Sequence, residues 1–483
     1  MKETVVLYPS PGIGHLVSMV ELGKRLLLLL NDTSFSITIL ISHAPYNTGA
    51  TNPYIRRVSS THPSISFHHL PPVSIPPLHS LSSPHQEALA FRFLRFNNTH
   101  LRQALLSISQ SSPIRALIFD FFCAVSLEAI PDLHFPTYFF FTSGVSVLAF
   151  FLHLPTVHRL TSASFKDLKD TPLHFPGLPP IPASEMPLPM LDRSDEAYDG
   201  FLYIAQSMTK VNGIIVNSFE ELEPQAKEAI SAGACVPDGP TPPIYCIGPL
   251  IASDGQGEGE GEGRRNGGGA DECLWWLDSQ PSQSVVFLSF GSMGLFSEAQ
   301  LIEIAVGLEK SGVRFLWVVR SPPSSDKSRR FIAPPDPDLE SLLPRGFMER
   351  TRERGKVVKS WAPQVAILKH ESVGGFVSHC GWNSVLESVC GGVPMVAWPL
   401  YAEQRMNKVF MVEEMKVALP MDEDDNGFVS SAEVERRVRE LMELEQGKVV
   451  RERTLAMQDA ALAAFRDGGS SYATLTHLAQ LWN

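Results

Sequence analysis

Short apolar segments alternate with segments of helical periodicity through both halves of the chain, and this alternation restricts the possible folds more than any other feature. A strand, a loop and a helix in repeated succession are typical of parallel sheets covered by helices on both faces. We therefore predict an α/β protein with two Rossmann-like domains, and ligands at the carboxyl ends of the strands in the crevice between them. The predicted strands are Thr4–Pro9, Phe35–Ile41, Ala116–Asp120 and Gly213–Val216 in the first half, and Ser284–Ser289, Arg314–Val319, Lys356–Lys359, Gly374–Ser378 and Met395–Ala397 in the second.

A stretch rich in glycine and glutamate separates the two halves. Residues 253–270 contain eight glycines and almost no apolar side chain. Such a stretch cannot bury enough apolar surface to offset its loss of conformational entropy, so we expect a flexible linker. A length of 483 residues also favours two domains over one. We predict a first domain over residues 1–250, a linker over 251–270 and a second domain over 271–460.

Charge and cysteine content limit the partners and the compartment. The 40 lysines and arginines against 52 aspartates and glutamates give a net charge of −12, which disfavours nucleic acid and anionic membranes as partners. The six cysteines form no CxxC pair, which favours free thiols in a reducing compartment. The apolar run at the N-terminus is too short for a signal peptide, and 138–154 fits a buried strand and helix better than a membrane span. We expect a cytoplasmic monomer without a membrane span.

Two loops in the second half have the character of phosphate-binding loops. The strand Gly374–Ser378 runs into HCGWNS and then directly into a helix, whose N-terminus presents unpaired N–H groups and the positive end of its dipole. The loop FGSMG also follows a strand directly. Neither a GxGxxG after the first strand nor a GxxxxGK[ST] is present, so a dinucleotide fingerprint and a P-loop are both excluded.

Side chains suited to a nucleoside and a sugar lie close to these loops in the sequence. Trp361 follows a strand and could stack on a flat base, and Glu387 could accept both hydroxyls of a ribose. The pair Glu403 and Gln404 could bind sugar hydroxyls. For each residue taken alone an ordinary role is the more common one, as a core aromatic, a solvated helix charge or a helix cap. Their position within one short block favours a ligand site.

Residues 361–404 read WAPQVAILKHESVGGFVSHCGWNSVLESVCGGVPMVAWPLYAEQ. This block resembles the plant secondary-product signature of family 1 UDP-sugar glycosyltransferases over its whole length. The segments PSPGIGH, NSFEELEP, IGPL and SFGSMG fit the same family, so the resemblance covers the whole chain. It implies a GT-B fold, with the acceptor bound by the first of two facing Rossmann-like domains and the UDP-sugar by the second. It also implies that a helix in 461–483 packs back on the first domain.

The resemblance assigns the donor site residue by residue. Trp361 is expected to stack on uracil, with the backbone near Ala362 and the side chain of Gln364 beside it, and Glu387 is expected to bind the ribose. The diphosphate is expected to contact Ser292, His379, Asn383 and Ser384, and the sugar to contact Trp382, Glu403 and Gln404. A glutamine at the last position is associated with glucose, so UDP-glucose is the expected donor. No other cofactor is expected, and no metal.

The first half is expected to supply a base, because a phenol with a pKa near ~10 is a poor nucleophile at neutral pH. His15 follows the first strand, where a lone histidine is more often structural than catalytic. Asp120, at the end of a strand, could stabilise the imidazolium that forms on His15 during proton transfer. The family resemblance supports both roles. The implied reaction is one inverting displacement at the anomeric carbon, without a covalent sugar intermediate.

We expect an apolar, aromatic acceptor pocket suited to a flat phenol. Its candidate residues are Phe91, Phe93, Phe121, Phe122, Thr142 and Met186, for all of which a core role is at least as common. The wider chain is similar to glucosyltransferases of flavonoids and dihydrochalcones, so the expected acceptor is a flavonoid, a chalcone or a dihydrochalcone. C-glycosylation of the same acceptors and transfer to a terpenoid are the alternatives. A nucleotide-sugar epimerase or hydrolase and a non-catalytic binding protein are less consistent with the His–Asp pair.

Overall fold

The structure is a computed structural model that describes residues 3–30, 35–44, 51–74, 83–132, 134–252, 269–324 and 334–482. The chain divides into two compact units, Met1–Ile251 together with Ala463–Asn483, and Ala252–Leu462. The predicted linker over 251–270 lies almost wholly outside the described residues. No helix in the described part of the chain combines the length and the apolar character needed to cross a membrane.

The first unit contains a parallel sheet of seven strands. Its strand order is β3-β2-β1-β4-β5-β8-β9, and a separate antiparallel pair is formed by β6 and β7. These strands are β1 (Glu3–Tyr8), β2 (Phe35–Ile41), β3 (Ile65–His69), β4 (Ile114–Asp120), β5 (Thr137–Phe141), β6 (Pro172–Leu173), β7 (Ile181–Pro182), β8 (Gly213–Val216) and β9 (Ile244–Cys246). The helices between them are α1 (Ile13–Leu30), α2 (Thr51–Thr61), α3 (Gln86–Ser111), α4 (Val145–Leu160), α5 (Phe165–Leu168), α6 (Glu196–Ser207) and α7 (Pro224–Ser231). A 3₁₀ helix over Phe121–Ala129 follows β4 directly.

The second unit contains a parallel sheet of six strands in the order β12-β11-β10-β13-β14-β15. These are β10 (Val285–Ser289), β11 (Arg314–Val319), β12 (Gly355–Lys359), β13 (Val373–Ser378), β14 (Met395–Ala397) and β15 (Ala418–Pro420). The helices are α8 (Gly269–Asp278), α9 (Glu298–Ser311), α10 (Leu339–Leu342), α11 (Phe347–Thr351), α12 (Gln364–Leu368), α13 (Trp382–Gly391), α14 (Gln404–Val409), α15 (Ser431–Glu443) and α16 (Glu445–Ala464). One turn of π-helix over Phe410–Glu414 follows α14.

Apolar side chains from the strands and their flanking helices form the core of each unit. In the second unit Trp317 on β11 and Trp398 after β14 are buried with Val286 and Val377 in one cluster that also includes residues of α9 and α15. Parallel strands buried on both faces explain the near-continuous apolar runs that identified them in the sequence. All nine predicted strands are present within one or two residues of the predicted ends.

The chain returns to the first unit in α17 (Ser470–Gln480). The Ser471 hydroxyl donates to the carbonyl oxygen of Gly248 at 2.6 Å, and Trp482 meets Tyr138 of β5 edge-on with ring centroids 5.6 Å apart. The Arg25 guanidinium on α1 lies 4.6 Å from the ring centroid of Phe465. Segments from opposite ends of the chain therefore share one core. All six cysteines are free thiols, and five of them are buried.

Candidate active site

The sheet order of the first unit brings two distant loops together. β1 and β4 are neighbours and pair in parallel, with Tyr8 opposite Phe119. The loop after β1 and the residues that end β4 therefore lie at the same edge of the sheet. His15 lies in the first turn of α1 and Asp120 is the last residue of β4, so the two meet although 105 positions separate them.

His15 and Asp120 form a hydrogen-bonded pair. The Nδ1 of His15 lies 2.7 Å from Oδ2 of Asp120, whose side chain is fully buried while the His15 side chain keeps 28% of its surface exposed. The other carboxylate oxygen accepts from the backbone N–H of Phe122 at 3.0 Å, which fixes the orientation of the group. A carboxylate offers acceptors only, so Nδ1 carries the proton and the lone pair of His15 is on Nε2. The Thr142 hydroxyl lies 3.4 Å from the same Nδ1.

An aromatic cluster adjoins this pair. The Phe122 ring meets the His15 ring edge-on at 5.4 Å, and Phe91 of α3 stacks on Phe122 at 5.8 Å. Phe201 of α6 contacts both Phe91 and Phe122, and Phe121 lies one layer deeper against Phe141. Phe91 and Phe122 are partly exposed, whereas Phe121 and Phe201 are buried. The sequence did not indicate Phe201, because its contacts with Phe91 and Phe122 depend on how α6 packs.

Two of the predicted acceptor residues are not brought to this surface. The side chains of Phe93 and Met186 are fully buried. Phe93 occupies the opposite face of α3 from Phe91, because residues two positions apart on a helix point in different directions. The structure therefore places both in the core of the first unit.

Gly200 allows Phe91 to lie close to α6. A Cβ at this position would fall well inside van der Waals distance of the Phe91 ring, with its Cγ at 3.1 Å. The ring lies directly against the backbone of α6 for this reason. Gly200 thus sets the position of the aromatic side chain that stacks on Phe122, which in turn contacts His15.

In the second unit, β13 ends in a tight turn before the N-terminus of α13. His379 lies in this turn, 5% exposed, and Nε2 would be 2.5 Å from a Cβ at either Gly291 or Gly381. Both positions therefore require glycine for the ring to fit. Burial lowers the pKa of His379 to about 4, so the imidazole is neutral near pH 7. Its Nδ1 is buried without a hydrogen-bond partner among the described residues.

Each of four loops at the carboxyl edge of this sheet contains one residue with a positive φ, in the left-handed region. The residues are Gly291 after β10 (φ +71°), Ser360 after β12 (φ +64°), Cys380 after β13 (φ +65°) and Ala402 after β14 (φ +53°). For residues other than glycine this conformation stores strain that the surrounding structure must offset, and such strain is concentrated at functional sites. The strained residues directly precede Trp361, Gly381 and Glu403. Strained residues next to predicted donor-binding positions support a ligand site at this edge of the sheet.

A hydrogen-bond network joins α12 to α13. The Gln364 amide donates to the Ser384 hydroxyl at 2.8 Å and to the Glu387 carboxylate at 2.7 Å. Ser384 is buried and Glu387 is partly exposed, so one carboxylate edge is oriented by Gln364 while the residue still reaches the surface. The network brings together three residues that the sequence analysis placed at the donor.

The remaining predicted donor residues differ in exposure. Trp361, Asn383 and Glu403 are partly exposed, Ala362 and Trp382 are buried, and Ser292 is exposed. Gln404 is 2% exposed, and its Oε1 accepts from the backbone N–H groups of Leu400 and Tyr401, both at 2.9 Å. Its carbonyl oxygen therefore holds the loop, and only the amide nitrogen is left for a ligand. The described residues contain no group of three or more His, Cys, Asp or Glu side chains placed to hold a metal ion.

A family model, curated relatives and solved structures all match this chain to sugar transferases that use UDP-sugars. A sequence model of the family "UDP-glucoronosyl and UDP-glucosyl transferase" matches residues 270–452. The chain is similar to phloretin 2'-O-glucosyltransferase of Malus domestica, with 51% identity over 99% of both chains. It is also similar to anthocyanidin 5,3-O-glucosyltransferase of a Rosa hybrid cultivar, with 49% identity over 99% of both. The solved structure of Phytolacca americana UGT2 with UDP-2fluoro-glucose and pterostilbene matches with a TM-score of 0.86 and 37% identity, over 99% of both chains.

Proposed function

The chain belongs to the UDP-glucoronosyl and UDP-glucosyl transferase family, and on that premise we propose that it transfers glucose from UDP-glucose to a hydroxyl group of a phenolic acceptor. Its two Rossmann-like units are those of a GT-B fold, as the sequence predicted. Phloretin is a dihydrochalcone and anthocyanidins are flavonoids, so the relatives support a flavonoid, chalcone or dihydrochalcone as acceptor. The hydrogen bond between His15 and buried Asp120 is the observation that carries the proposal.

His15 is the proposed general base. With Nδ1–H donated to Asp120, Nε2 carries the lone pair of the imidazole, and we propose that it takes the proton of a phenol. The imidazolium that forms is stabilised by the Asp120 carboxylate, which is itself fixed by the Phe122 N–H. The aromatic edge formed by Phe122 and Phe91 supplies a flat apolar surface next to the base, which suits a planar polyphenol.

The loops at the carboxyl edge of the second sheet are the proposed donor site. Trp361 stacks on uracil, and Glu387, oriented by Gln364, accepts hydrogen bonds from the ribose hydroxyls. The N-terminus of α13, with Ser384 and Asn383 in its first turn, presents N–H groups to the diphosphate. His379 contributes a neutral donor, because protonation is opposed by burial.

The proposed chemistry is a single displacement with inversion. The phenol oxygen, losing its proton to Nε2 of His15, forms a bond to the anomeric carbon while the bond from that carbon to the diphosphate oxygen breaks. UDP leaves with the electron pair, and the N–H groups of α13 stabilise the negative charge that develops on it. No step needs a metal ion, and we propose that transfer is metal-independent.

We propose that Gln404 selects glucose through its amide nitrogen. Its carbonyl oxygen is already engaged by two backbone N–H groups, so the amide can donate to a sugar hydroxyl but not accept from one. Glu403 is partly exposed at the N-cap position of α14 and can accept from a neighbouring hydroxyl. The six free cysteines also lead us to propose that the enzyme works in the reducing cytosol.

The test is an incubation of the protein with UDP-glucose and a panel of flavonoids, chalcones, dihydrochalcones and simple phenols. We expect the mass of one hexose to be added to at least one acceptor, with release of one UDP per product. A panel without any glycosylated product, together with release of glucose from UDP-glucose at the same rate with and without acceptor, would contradict the proposal and favour a hydrolase.

Acid treatment of the product distinguishes the two types of bond. An O-glucoside is hydrolysed by acid and a C-glucoside resists it. C-glycosylation would need only a different orientation of the acceptor over the same His15, with a nucleophilic ring carbon at the sugar. Parallel reactions with UDP-galactose and UDP-glucuronic acid test the glucose assignment, which predicts the highest kcat/KM for UDP-glucose.

A further inference from the structure

Arg320 binds the backbone of the loop that follows β10. Its Nη1 donates to the carbonyl oxygen of Ser292 and lies 3.4 Å from that of Gly291. Arg320 is the first residue after β11, and β10 and β11 pair in parallel with Leu288 opposite Trp317. The two loops therefore begin at the same edge of the sheet, which brings the guanidinium to the carbonyls.

The contact determines which way the loop N–H groups point. In a trans peptide the C=O and the following N–H point in opposite directions. With the carbonyls of Gly291 and Ser292 turned toward the guanidinium, the N–H groups of Ser292 and Met293 are turned away from it. The positive charge at the carbonyl end also polarises these peptides and strengthens their N–H groups as donors.

The same loop lies directly against His379. The backbone at Gly291 is so close that an added Cβ would be 2.5 Å from Nε2 of His379, and its positive φ of +71° fixes the turn. The loop therefore borders the turn that leads into α13. The N-terminus of α13 presents N–H groups at this turn, and a loop that adds further N–H groups beside it would suit a polyanion such as a diphosphate.

We propose that Arg320 is a positioning residue of the donor site. By holding the carbonyls of Gly291 and Ser292 it turns the N–H groups of Ser292 and Met293 toward the diphosphate of the UDP-sugar, without contacting the sugar or the base. The inference rests on the proposed function, because it needs a diphosphate as the ligand of this loop.

The test compares the binding of UDP and of uridine to the unaltered protein and to Arg320→Ala by isothermal titration calorimetry. We expect UDP to bind about tenfold or more weakly to the variant, since a charge-assisted contact is lost, and uridine to bind unchanged, since base and ribose contact other residues. Arg314→Ala is the matched control, because Arg314 is an exposed arginine at the opposite end of β11. It should bind both ligands as the unaltered protein does.

Two further measurements separate positioning from a general loss of structure. Guanidinium ions should restore UDP binding to Arg320→Ala, whereas sodium chloride at the same ionic strength should not. Arg320→Lys retains the charge but not the fork of donors, so its UDP affinity should fall between those of the unaltered protein and the alanine variant.

The binding measurements distinguish a failure of this inference from a failure of the proposed function. Equal UDP affinity in the unaltered protein and Arg320→Ala would overturn the inference and leave the proposed function standing. Equal weakening of UDP and uridine would also overturn it, because the residue would then support the fold and not the phosphate loop. A failure of the unaltered protein to bind UDP would overturn the proposed function and, with it, this inference.

Discussion

Replacement of Asp120 by asparagine should remove most of the catalytic activity while preserving the fold. The side chain is fully buried and accepts two hydrogen bonds, from His15 at 2.7 Å and from the Phe122 N–H at 3.0 Å. Asparagine has the same shape but only one acceptor atom, so its NH₂ group must face one of these two donors. It also has no charge with which to stabilise the imidazolium of His15.

The magnitude follows from the separation of the charges. An imidazolium and a carboxylate in this contact have their charge centres about 4 Å apart, which gives ~4 kcal/mol at an effective dielectric constant of about 20. Loss of that stabilisation in the transition state alone corresponds to a fall in kcat of about a thousandfold. The affinity for UDP should not change, because the donor loops belong to the second unit.

The assay measures kcat and KM for an accepted phenol at saturating UDP-glucose, together with UDP affinity and the melting temperature. Asp132→Asn is the control, because Asp132 is an exposed carboxylate that pairs with Arg102. A fall in kcat of less than tenfold in Asp120→Asn would refute the reasoning. So would a fall that accompanies a comparable loss of UDP affinity, since the variant would then be damaged beyond the base.

Four further expectations concern the two sites. His15→Ala should abolish transfer to phenols and leave UDP-glucose binding intact in a direct titration; retained turnover with weakened donor binding would contradict the role of base. Excess EDTA should leave the initial rate unchanged, and a loss restored by added Mg²⁺ or Mn²⁺ would contradict the metal-free mechanism. Burial lowers the pKa of His379 to about 4, whereas the unfolded ring titrates near 6.5, so the unfolded chain binds the additional proton between these values. The melting temperature should therefore fall as the pH is lowered through that window, and fall less in His379→Gln. Gly200→Ala should displace the Phe91 ring and change KM values across the acceptor panel with the KM for UDP-glucose unchanged, whereas an unaltered acceptor profile would remove Phe91 from the pocket.

Most strands of the two sheets were predictable because each is recognisable from its own short run of residues. Buried parallel strands are continuous apolar runs, so their positions follow from the sequence alone. The missed strands are the short or less apolar ones: β3, with the polar sequence ISFHH, β6 and β7, with two residues each, and β9 and β15, with three residues each. Strands of that kind are defined by their neighbours in the sheet and have little signal of their own.

The site was predictable only in part. The pairing of His15 with Asp120 could be inferred, because both lie at the carboxyl ends of strands and the chemistry of a phenol needs a base. The contact between Arg320 and the Ser292 loop could not, since an arginine after a strand is ordinary and its partner is a backbone carbonyl. Burial also cannot be read from residue type, so nothing in the sequence distinguished buried Phe93 from partly exposed Phe91.

The return of the chain to the first unit has a consequence for its synthesis. The first unit is discontinuous, since its whole sheet forms from residues before Ile251 whereas the unit also includes the segment from Ala463 onward. The contacts of Tyr138 with Trp482 and of Gly248 with Ser471 consequently cannot form until Trp482 and Ser471 have been translated. The second unit, made from one continuous stretch, can finish folding while the first still exposes the surface that α17 covers. Chaperone demand during translation should therefore concentrate on the half that is synthesised first.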